Sequence, residues 1–180
     1  MPEKGLFWPR ESTLFVADLH LGKAAAFRAM AVPVPEATTA ESLSRLSQAM
    51  ERSGAKRLII LGDLIHAKKG YTAATNEAWG AWRERHRDAD VLLVRGNHDA
   101  RAGDPPPEWR LACIDEPYAM PPFMLAHKPG QKAKGTMLCG HLHPAVRLTG
   151  PGRDHHQFPC LWQHEREAVF PAFGAFTGKH

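Results

Sequence analysis

Residues 58–66 read LIILGDLIH, an apolar run that stops at a glycine and continues with an aspartate and a histidine. The run over residues 58–61 is short, rich in leucine and β-branched residues, and apolar on both faces, as is typical of a strand in a covered sheet. Asp63 and His66 then follow at the carboxyl end of that strand. A buried strand that leads directly into a polar cluster is the pattern from which the fold and the function of this chain are predicted.

The same pattern occurs at four more apolar runs. The clusters are Asp18-Leu19-His20 after Val16-Ala17, Asn97-His98-Asp99 after Val94-Arg95-Gly96, His127 after Leu125-Ala126, and His141-Leu142-His143 after Leu138-Cys139-Gly140. Ligands of open α/β sheets bind in the crevice outside the carboxyl ends of the strands. We therefore expect the five clusters to converge on one site.

Spacing within the clusters supports this convergence. Asp18 and His20 are two residues apart, as are His141 and His143, and residues i and i+2 of a strand project to the same face. A glycine also stands directly before Asp63, Asn97 and His141. Glycine permits a positive φ and a close approach to the backbone, so these positions favour tight turns that direct the next side chain into the site.

Strands and helices alternate in the first hundred residues. Strands are predicted at residues 5–8, 13–16, 58–61, 91–94, 123–126 and 136–139. A capping box at residues 38–41 and Gly54 bound one helix, and the i, i+4 series Ala74, Ala78 and Trp82 marks another. This alternation predicts an α/β fold with βαβ units and a largely parallel sheet. The closer strands and many prolines of the second half predict an antiparallel portion.

Length and composition restrict the class of protein. The 180 residues predict one domain over residues 1–180, without a separate capping domain. No apolar stretch approaches 18 residues, so a membrane span is not expected. The N-terminus has no basic segment followed by an apolar one, which favours a cytoplasmic location. The three cysteines have neither disulfide nor zinc-site spacing and are expected to be reduced.

The residue types of the five clusters predict a metal centre. Burying so many ionisable groups together costs several kcal/mol for each group unless they are paired or bound to metal. The set offers carboxylate and amide oxygens and imidazole nitrogens but no thiolate. Such a set suits Mn, Fe, Zn or Ni better than Mg alone or a structural cysteine-type zinc site. The net charge of +4 is compatible with a polyanionic partner but is weak support for one.

These motifs together resemble a known family, the calcineurin-like metallophosphoesterases. The resemblance covers residues 14–145 and rests on Asp18-x-His20, Gly62-Asp63, Gly96-Asn97-His98-Asp99, His127 and Gly140-His141-x-His143. It implies a four-layer sandwich in which two mixed β-sheets are flanked by helices, with the metal site at the carboxyl ends of the strands. It also implies an enzyme, a metal-dependent hydrolase of phosphoesters.

The resemblance implies a role for each motif residue. Asp18, His20, Asp63 and His143 would hold one metal ion. Asp63, Asn97, His127 and His141 would hold a second, with Asp63 bridging the two. His98 would act as general acid toward the leaving oxygen, and Asp99 would orient the His98 imidazole. A hydroxide bridging the metals would attack the phosphorus in line.

A narrower resemblance is carried by DLHLGK at residues 18–23, Phe27-Arg28 and FPAFGAFTG at residues 170–178. These segments are similar to the small bacterial endonucleases that are associated with an ATP-dependent DNA ligase and a helicase in the DNA-damage response. This resemblance implies a DNA phosphodiester substrate, a dependence on Mn, and a link to DNA repair. With 180 residues, the chain is not expected to contain the DNA-capping domain of the larger repair nucleases.

Four further residues are candidates for contacts with substrate or with the site residues. Lys23 follows the first cluster, His66 follows Asp63, and Arg101 and Lys128 flank the site. Each also has a simpler interpretation. The three cationic side chains could be solvated at the surface, and the histidine could serve only in packing.

Two other functions stay open at the level of sequence. One is a phosphomonoesterase that acts on a nucleotide or a phosphoprotein. The other is a metal-free binding scaffold on the same fold, which is disfavoured because no ligand or catalytic position is missing.

Overall fold

A computed structural model describes residues 1–34, 37–131, 134–150, 152 and 154–178. The first sheet contains β1 (Leu6–Trp8), β2 (Thr13–Val16), β3 (Arg57–Leu61), β4 (Asp90–Val94) and β5 (Ala112–Ile114). These strands lie in sequence order; β1 is antiparallel to β2, and all other neighbours are parallel. The carboxyl ends of β2, β3 and β4 therefore meet at one edge.

The second sheet is also mixed. It contains β6 (Tyr118–Met120), β7 (Phe123–Leu125), β8 (Thr136–Cys139), β11 (Trp162–His164) and β12 (Glu167–Val169), and a separate hairpin contains β9 (Ala145–Thr149) and β10 (His155–Pro159). The sheet order is β11-β12-β8-β7-β6, with a parallel centre and antiparallel edges. The predicted antiparallel portion is confirmed at these edges and in the hairpin.

The helices are α1 (Lys23–Arg28), α2 (Thr38–Ser53), α3 (Ala73–Arg85) and α4 (Asn97–Ala102), joined by 3-10 turns at Pro9–Glu11, Lys68–Gly70 and Pro107–Trp109. Leu46 of α2 and Trp79 of α3 pack against one face of the first sheet, where they meet Leu14, Leu58 and Ile60. The helices thus cover the face of the first sheet that points away from the second.

The opposite face of the first sheet packs on the second sheet. Phe15 and Ile59 contact a cluster that includes Leu125, Leu138 and Phe170. Alternate residues of β2 and β3 are thereby buried on both sides, which explains why these strands are apolar throughout. The predicted α/β class, with two mixed sheets flanked by helices, is confirmed.

Two predictions about the helices are wrong in detail. The capping box at residues 38–41 does not form, because Thr38 is already the first helical residue and Ala37, which has no polar side chain, is the N-cap. The buried face of α3 includes Thr75 and Trp79 rather than Ala74, since Trp79 stacks on Trp109 with ring centroids 4.8 Å apart. In α3 a tertiary contact therefore outweighs the local pattern.

Among the described residues, none of the helices combines the length and apolar composition needed to cross a membrane. The three cysteines are free, as the sequence predicts, and Cys139 is buried.

Candidate metal centre

The seven predicted ligands lie together beyond the carboxyl ends of the strands. Three clusters among the described residues have ligand atoms within 4.8 Å of one another. Two of them consist of predicted ligands, the first of Asp18, His20 and His143 and the second of Asp63, His127 and His141, and the third joins His20 to His66 and His98. Asn97 joins the second cluster, because its Oδ1 lies 3.1 Å from His127 Nε2. We call these the first group and the second group.

The spacing in the second group suits one divalent ion. His127 Nε2 lies 3.0 Å from His141 Nδ1 and 3.4 Å from Asp63 Oδ2. Ligand atoms bound at ~2.1 Å lie ~3.0–3.4 Å apart around an octahedral or tetrahedral ion. The other ring nitrogen of His127 faces the Leu61 carbonyl oxygen at 3.1 Å, so Nδ1 carries the hydrogen and Nε2 is the nitrogen that could bind metal.

Asp63 lies between the two groups. Its Oδ1 accepts the backbone N–H of His98 at 2.9 Å. Its Oδ2 is 3.4 Å from His127 Nε2 in the second group and 3.8 Å from His20 Nε2 in the first. One carboxylate oxygen is thus close to an imidazole of each group, the position that a bridging ligand requires.

Asp18 provides a test of whether cations fit the first group. Its Oδ2 accepts the His141 N–H at 2.9 Å, whereas its Oδ1 is buried without a hydrogen bond. His20 Nδ1 is likewise buried without a partner. Buried polar atoms without partners are costly, and a cation would satisfy the Asp18 oxygen. The donor set of both groups therefore fits divalent ions.

The backbone is strained at the ligands. Five of the ten described non-glycine residues with positive φ are predicted ligands, namely Asp18 (55°), His20 (48°), Asp63 (52°), His141 (73°) and His143 (51°). The left-handed region is unfavourable for such residues and is enriched at functional sites. β2 ends at Val16 and β8 at Cys139, so the paired ligands converge through this strained backbone and not through the strand pleat that the sequence pattern suggested.

The glycines before the ligands allow close packing, as predicted. A Cβ on Gly62, whose φ is +81°, would lie 2.1 Å from His127 Nδ1. A Cβ on Gly96 would lie 2.3 Å from Asp63 Oδ1, and one on Gly140 would lie 2.6 Å from Asp18 Oδ2. Gly96 and Gly140 are therefore required only because a side chain would not fit. Gly62 is required for that reason and also because its φ is positive.

Burial and charge set the protonation states of the centre without metal. Burial lowers the pKa of His20 to about 2, so this imidazole is neutral near pH 7. Burial alone would raise the pKa of Asp63, but the hydrogen bond and charge of His127 outweigh it and lower that pKa to about 2. Burial likewise opposes protonation of His127, yet Asp63 and Asp18 raise its pKa to about 9.

His98 stands at the rim of the centre. Its Nδ1 lies 2.6 Å from the His66 carbonyl oxygen, which can only accept, so Nδ1 carries a hydrogen. Its Nε2 faces inward, 3.9 Å from Asp63 Oδ2, and the side chain is 28% exposed. The arrangement leaves Nε2 as the nitrogen able to exchange a proton with a bound substrate.

Asp99 binds backbone N–H groups of the site. Its carboxylate accepts the backbone N–H groups of Asp63 at 2.7 Å, Gly96 at 2.9 Å and Ile65 at 3.2 Å. The hydrogen bond at His98 Nδ1 is made by the His66 carbonyl oxygen, so an orienting effect of Asp99 on the His98 imidazole would act through the backbone that Asp99 holds and stays a prediction. Burial raises the pKa of Asp99 to about 6, although the three N–H donors oppose this shift.

His66 reaches the first group, and Lys23 lies near enough for its charge to help lower the pKa of His20. The His66 ring stacks on His98 at 4.8 Å and meets His20 edge-on at 5.5 Å. The ammonium of Lys23 lies 5.9 Å from the Phe27 ring centroid and 5.5 Å from that of Phe176, and burial lowers its pKa. Arg101 and Lys128 lie on the other side, where they line a cavity with Asn97.

Glu116 is a residue of the site that the sequence pattern did not reveal. Its Oε2 accepts the N–H groups of His127 at 2.6 Å and Lys128 at 2.9 Å and the Gln131 side-chain amide at 3.0 Å. This carboxylate holds the backbone that carries His127. No sequence signal marks Glu116, because it lies in a connection between strands that were not predicted.

Comparison with known proteins places the chain among phosphoesterases. The model of the family described as calcineurin-like phosphoesterase matches residues 12–169. The nuclease MPE of Pseudomonas putida is 37% identical with a TM-score of 0.86, over 100% of this chain and 84% of that one. Yfce, a phosphoesterase of E. coli, is 18% identical with a TM-score of 0.50, over 93% of this chain and 83% of that one, and supports the fold alone. No curated protein gives a match.

Removing the Glu116 carboxylate should weaken metal binding. We expect Glu116→Ala to lower the affinity for the ion of the second group by ~10–100-fold, because outer residues that position metal ligands contribute on that scale. Titration calorimetry of the metal-free protein measures this, with Glu77→Ala on the exposed face of α3 as the matched control. Glu116→Gln, which keeps an acceptor oxygen, should lose less. Equal affinities in all the variants would contradict a positioning role.

Metal uptake should release a proton. Below pH about 9 His127 is protonated in the metal-free protein, and it must lose that proton to bind metal. The apparent affinity of the second group for its ion should therefore rise ~10-fold per pH unit up to about pH 9 and level off above that pH. Calorimetry in two buffers of different ionisation enthalpy counts the protons. Uptake of two ions at pH 7.5 with no proton release would show that His127 is not protonated in the metal-free protein at that pH.

Proposed function

The chain belongs to the calcineurin-like phosphoesterase family and is a metal-dependent hydrolase of phosphoester bonds; on this premise we propose that it is a phosphodiesterase that cleaves DNA internally. The observation that carries the proposal is the similarity to the nuclease MPE, at 37% identity over the whole of this chain. The open rim of the centre, where His98 is 28% exposed, is compatible with a polymeric substrate.

In this proposal the two groups hold two divalent ions. Asp18, His20 and His143 would hold the first, and Asn97, His127 and His141 the second, with Asp63 shared. The ions supply Lewis acidity and lower the pKa of water toward neutrality when they are bound. We propose Mn as the metal, with Fe, Zn or Ni as alternatives, because the mixed oxygen and imidazole donors suit these ions.

The protein's own groups have distinct tasks in cleavage. His98 donates a proton from Nε2 to the leaving oxygen, while the His66 carbonyl fixes the ring through Nδ1. Asp99 and Glu116 hold the loops that carry Asp63 and His127. The arrangement accords with in-line displacement, since catalysis of phosphoryl transfer depends chiefly on positioning and charge.

The biological setting is a further part of the proposal. We propose that the whole chain acts as one domain without a cap, in the cytoplasm, in DNA repair, and in functional association with an ATP-dependent DNA ligase and a helicase. The support is the resemblance of DLHLGK at residues 18–23 and of FPAFGAFTG at residues 170–178 to the endonucleases of that system.

A substrate panel tests the proposal. The purified protein should nick supercoiled plasmid or cut single-stranded DNA, and should hydrolyse a bis-aryl phosphodiester faster than the aryl monoester, with Mn giving the highest rate among Mn, Mg, Zn and Ni. A strong preference for the monoester would instead support a phosphomonoesterase. Absence of both bound metal and hydrolysis would support the scaffold.

Substitution of His98 tests the proposed acid. We expect His98→Gln to lower kcat on DNA by ~10²–10⁴, the usual contribution of general acid catalysis, with the metal content unchanged. His156→Gln, on the exposed hairpin, is the control and should keep full activity. Undiminished cleavage by His98→Gln would remove this residue from the mechanism.

A further inference from the structure

A cavity of about 440 Å³ opens beside the second group. Its lining includes Asn97, Arg95, Arg101, Glu116 and Lys128. The volume lies within the range of ~300–1,000 Å³ that is usual for small-molecule sites. Asn97 belongs to the second group, so the cavity adjoins the proposed metal centre at this residue.

The charges in the cavity are unevenly compensated. Arg95 is neutralised by Asp104 at 2.7 Å and Asp115 at 3.0 Å. The carboxylate of Glu116 is held by N–H donors, including those of His127 and Lys128.

Two cations of the lining lack such compensation. Within the described part of the chain, the side chains of Arg101 and Lys128 make no hydrogen bond or ion pair, and both residues are exposed. The cavity therefore offers two cations to an anion from solution.

Both cations are placed relative to predicted ligands by the chain itself. Arg101 follows Asn97 by four residues in α4, and residues i and i+4 lie on the same face of a helix. Lys128 directly follows His127, and its backbone N–H is fixed by Glu116 at 2.9 Å. The same elements thus position the second group and the two cations.

We propose that this cavity binds a phosphate of the nucleic acid strand next to the scissile one, with Arg101 and Lys128 as its ligands. Phosphate contacts of this kind position a strand without reading its sequence. The inference rests on the proposed function, since it requires a polymeric phosphodiester. A small aryl diester, which has no neighbouring phosphate, would not reach the two cations.

The test compares two substrates with the metal-loaded protein. In the double variant Arg101→Gln/Lys128→Gln, we expect kcat/KM on the DNA form cut by the wild type to fall at least tenfold more than kcat/KM on bis-(p-nitrophenyl) phosphate. The slope of log(kcat/KM) on DNA against log salt concentration should become shallower by ~0.7 on single-stranded DNA or ~0.9 on duplex DNA, the contribution of the one phosphate that the site neutralises.

A charge-matched control separates a local effect from a general one. Arg10 and Lys56 are exposed and lie before the amino ends of β2 and β3, at the edge opposite the centre. The variant Arg10→Gln/Lys56→Gln should stay within twofold of the wild type on both substrates. A control that loses DNA cleavage as strongly as the cavity variant would overturn the proposal, because loss of net charge alone would then explain the effect.

The remaining outcomes are also decisive. Suppose that the wild type cuts DNA and that the cavity variant has the same kcat/KM on DNA and the same salt dependence as the wild type. The proposed phosphate site is then wrong, while the proposed function stands. Equal losses on both substrates, or loss of bound metal, would likewise overturn the site. If the wild type hydrolyses the aryl diester but no nucleic acid, the site and the nuclease proposal both fail.

Discussion

The rest of the centre depends on the contacts that the carboxylate of Asp63 makes. Its Oδ1 is tied to the His98 N–H, and its Oδ2 lies within 4 Å of an imidazole from each group. Its own backbone N–H is bound by Asp99 at 2.7 Å. One residue therefore connects the two groups, the general acid candidate and the loop beneath them. A change in its position would alter all of these at once.

Such a centre needs a rigid frame, because its ligands are held in unfavourable backbone conformations. Five ligands have positive φ, and states of this kind persist only where the surrounding structure determines them. The frame is the pair of sheets, in which β2 and β3 are buried on both faces. The buried carboxylate of Asp99 and the half-buried one of Glu116 then tie the loops to that frame through backbone N–H groups.

The sequence predicts the strands whose residues are selected by burial in the core. It does not predict the strands that are exposed or very short. Strands β2, β3, β4, β7 and β8 are predicted because their apolar runs reflect burial, and the half-buried β1 is predicted as well. The strands β5, β6, β9, β10, β11 and β12 were not predicted. Most are short or exposed, so their residues are constrained by pairing with neighbours and leave no apolar signature.

For the site, the order and type of residues predict that five polar clusters meet at a metal centre, because metal chemistry restricts which side chains can serve. The resemblance to the phosphoesterase family then separates the seven ligand candidates from His98. The contacts that hold these residues in place could not be predicted from the sequence. Asp99 binds loop N–H groups rather than an imidazole, and Glu116 supports His127 from a position eleven residues away. Backbone N–H groups belong to every residue type except proline, so the partner of a buried carboxylate is chosen by the geometry of the folded chain and not by the residues that precede or follow it.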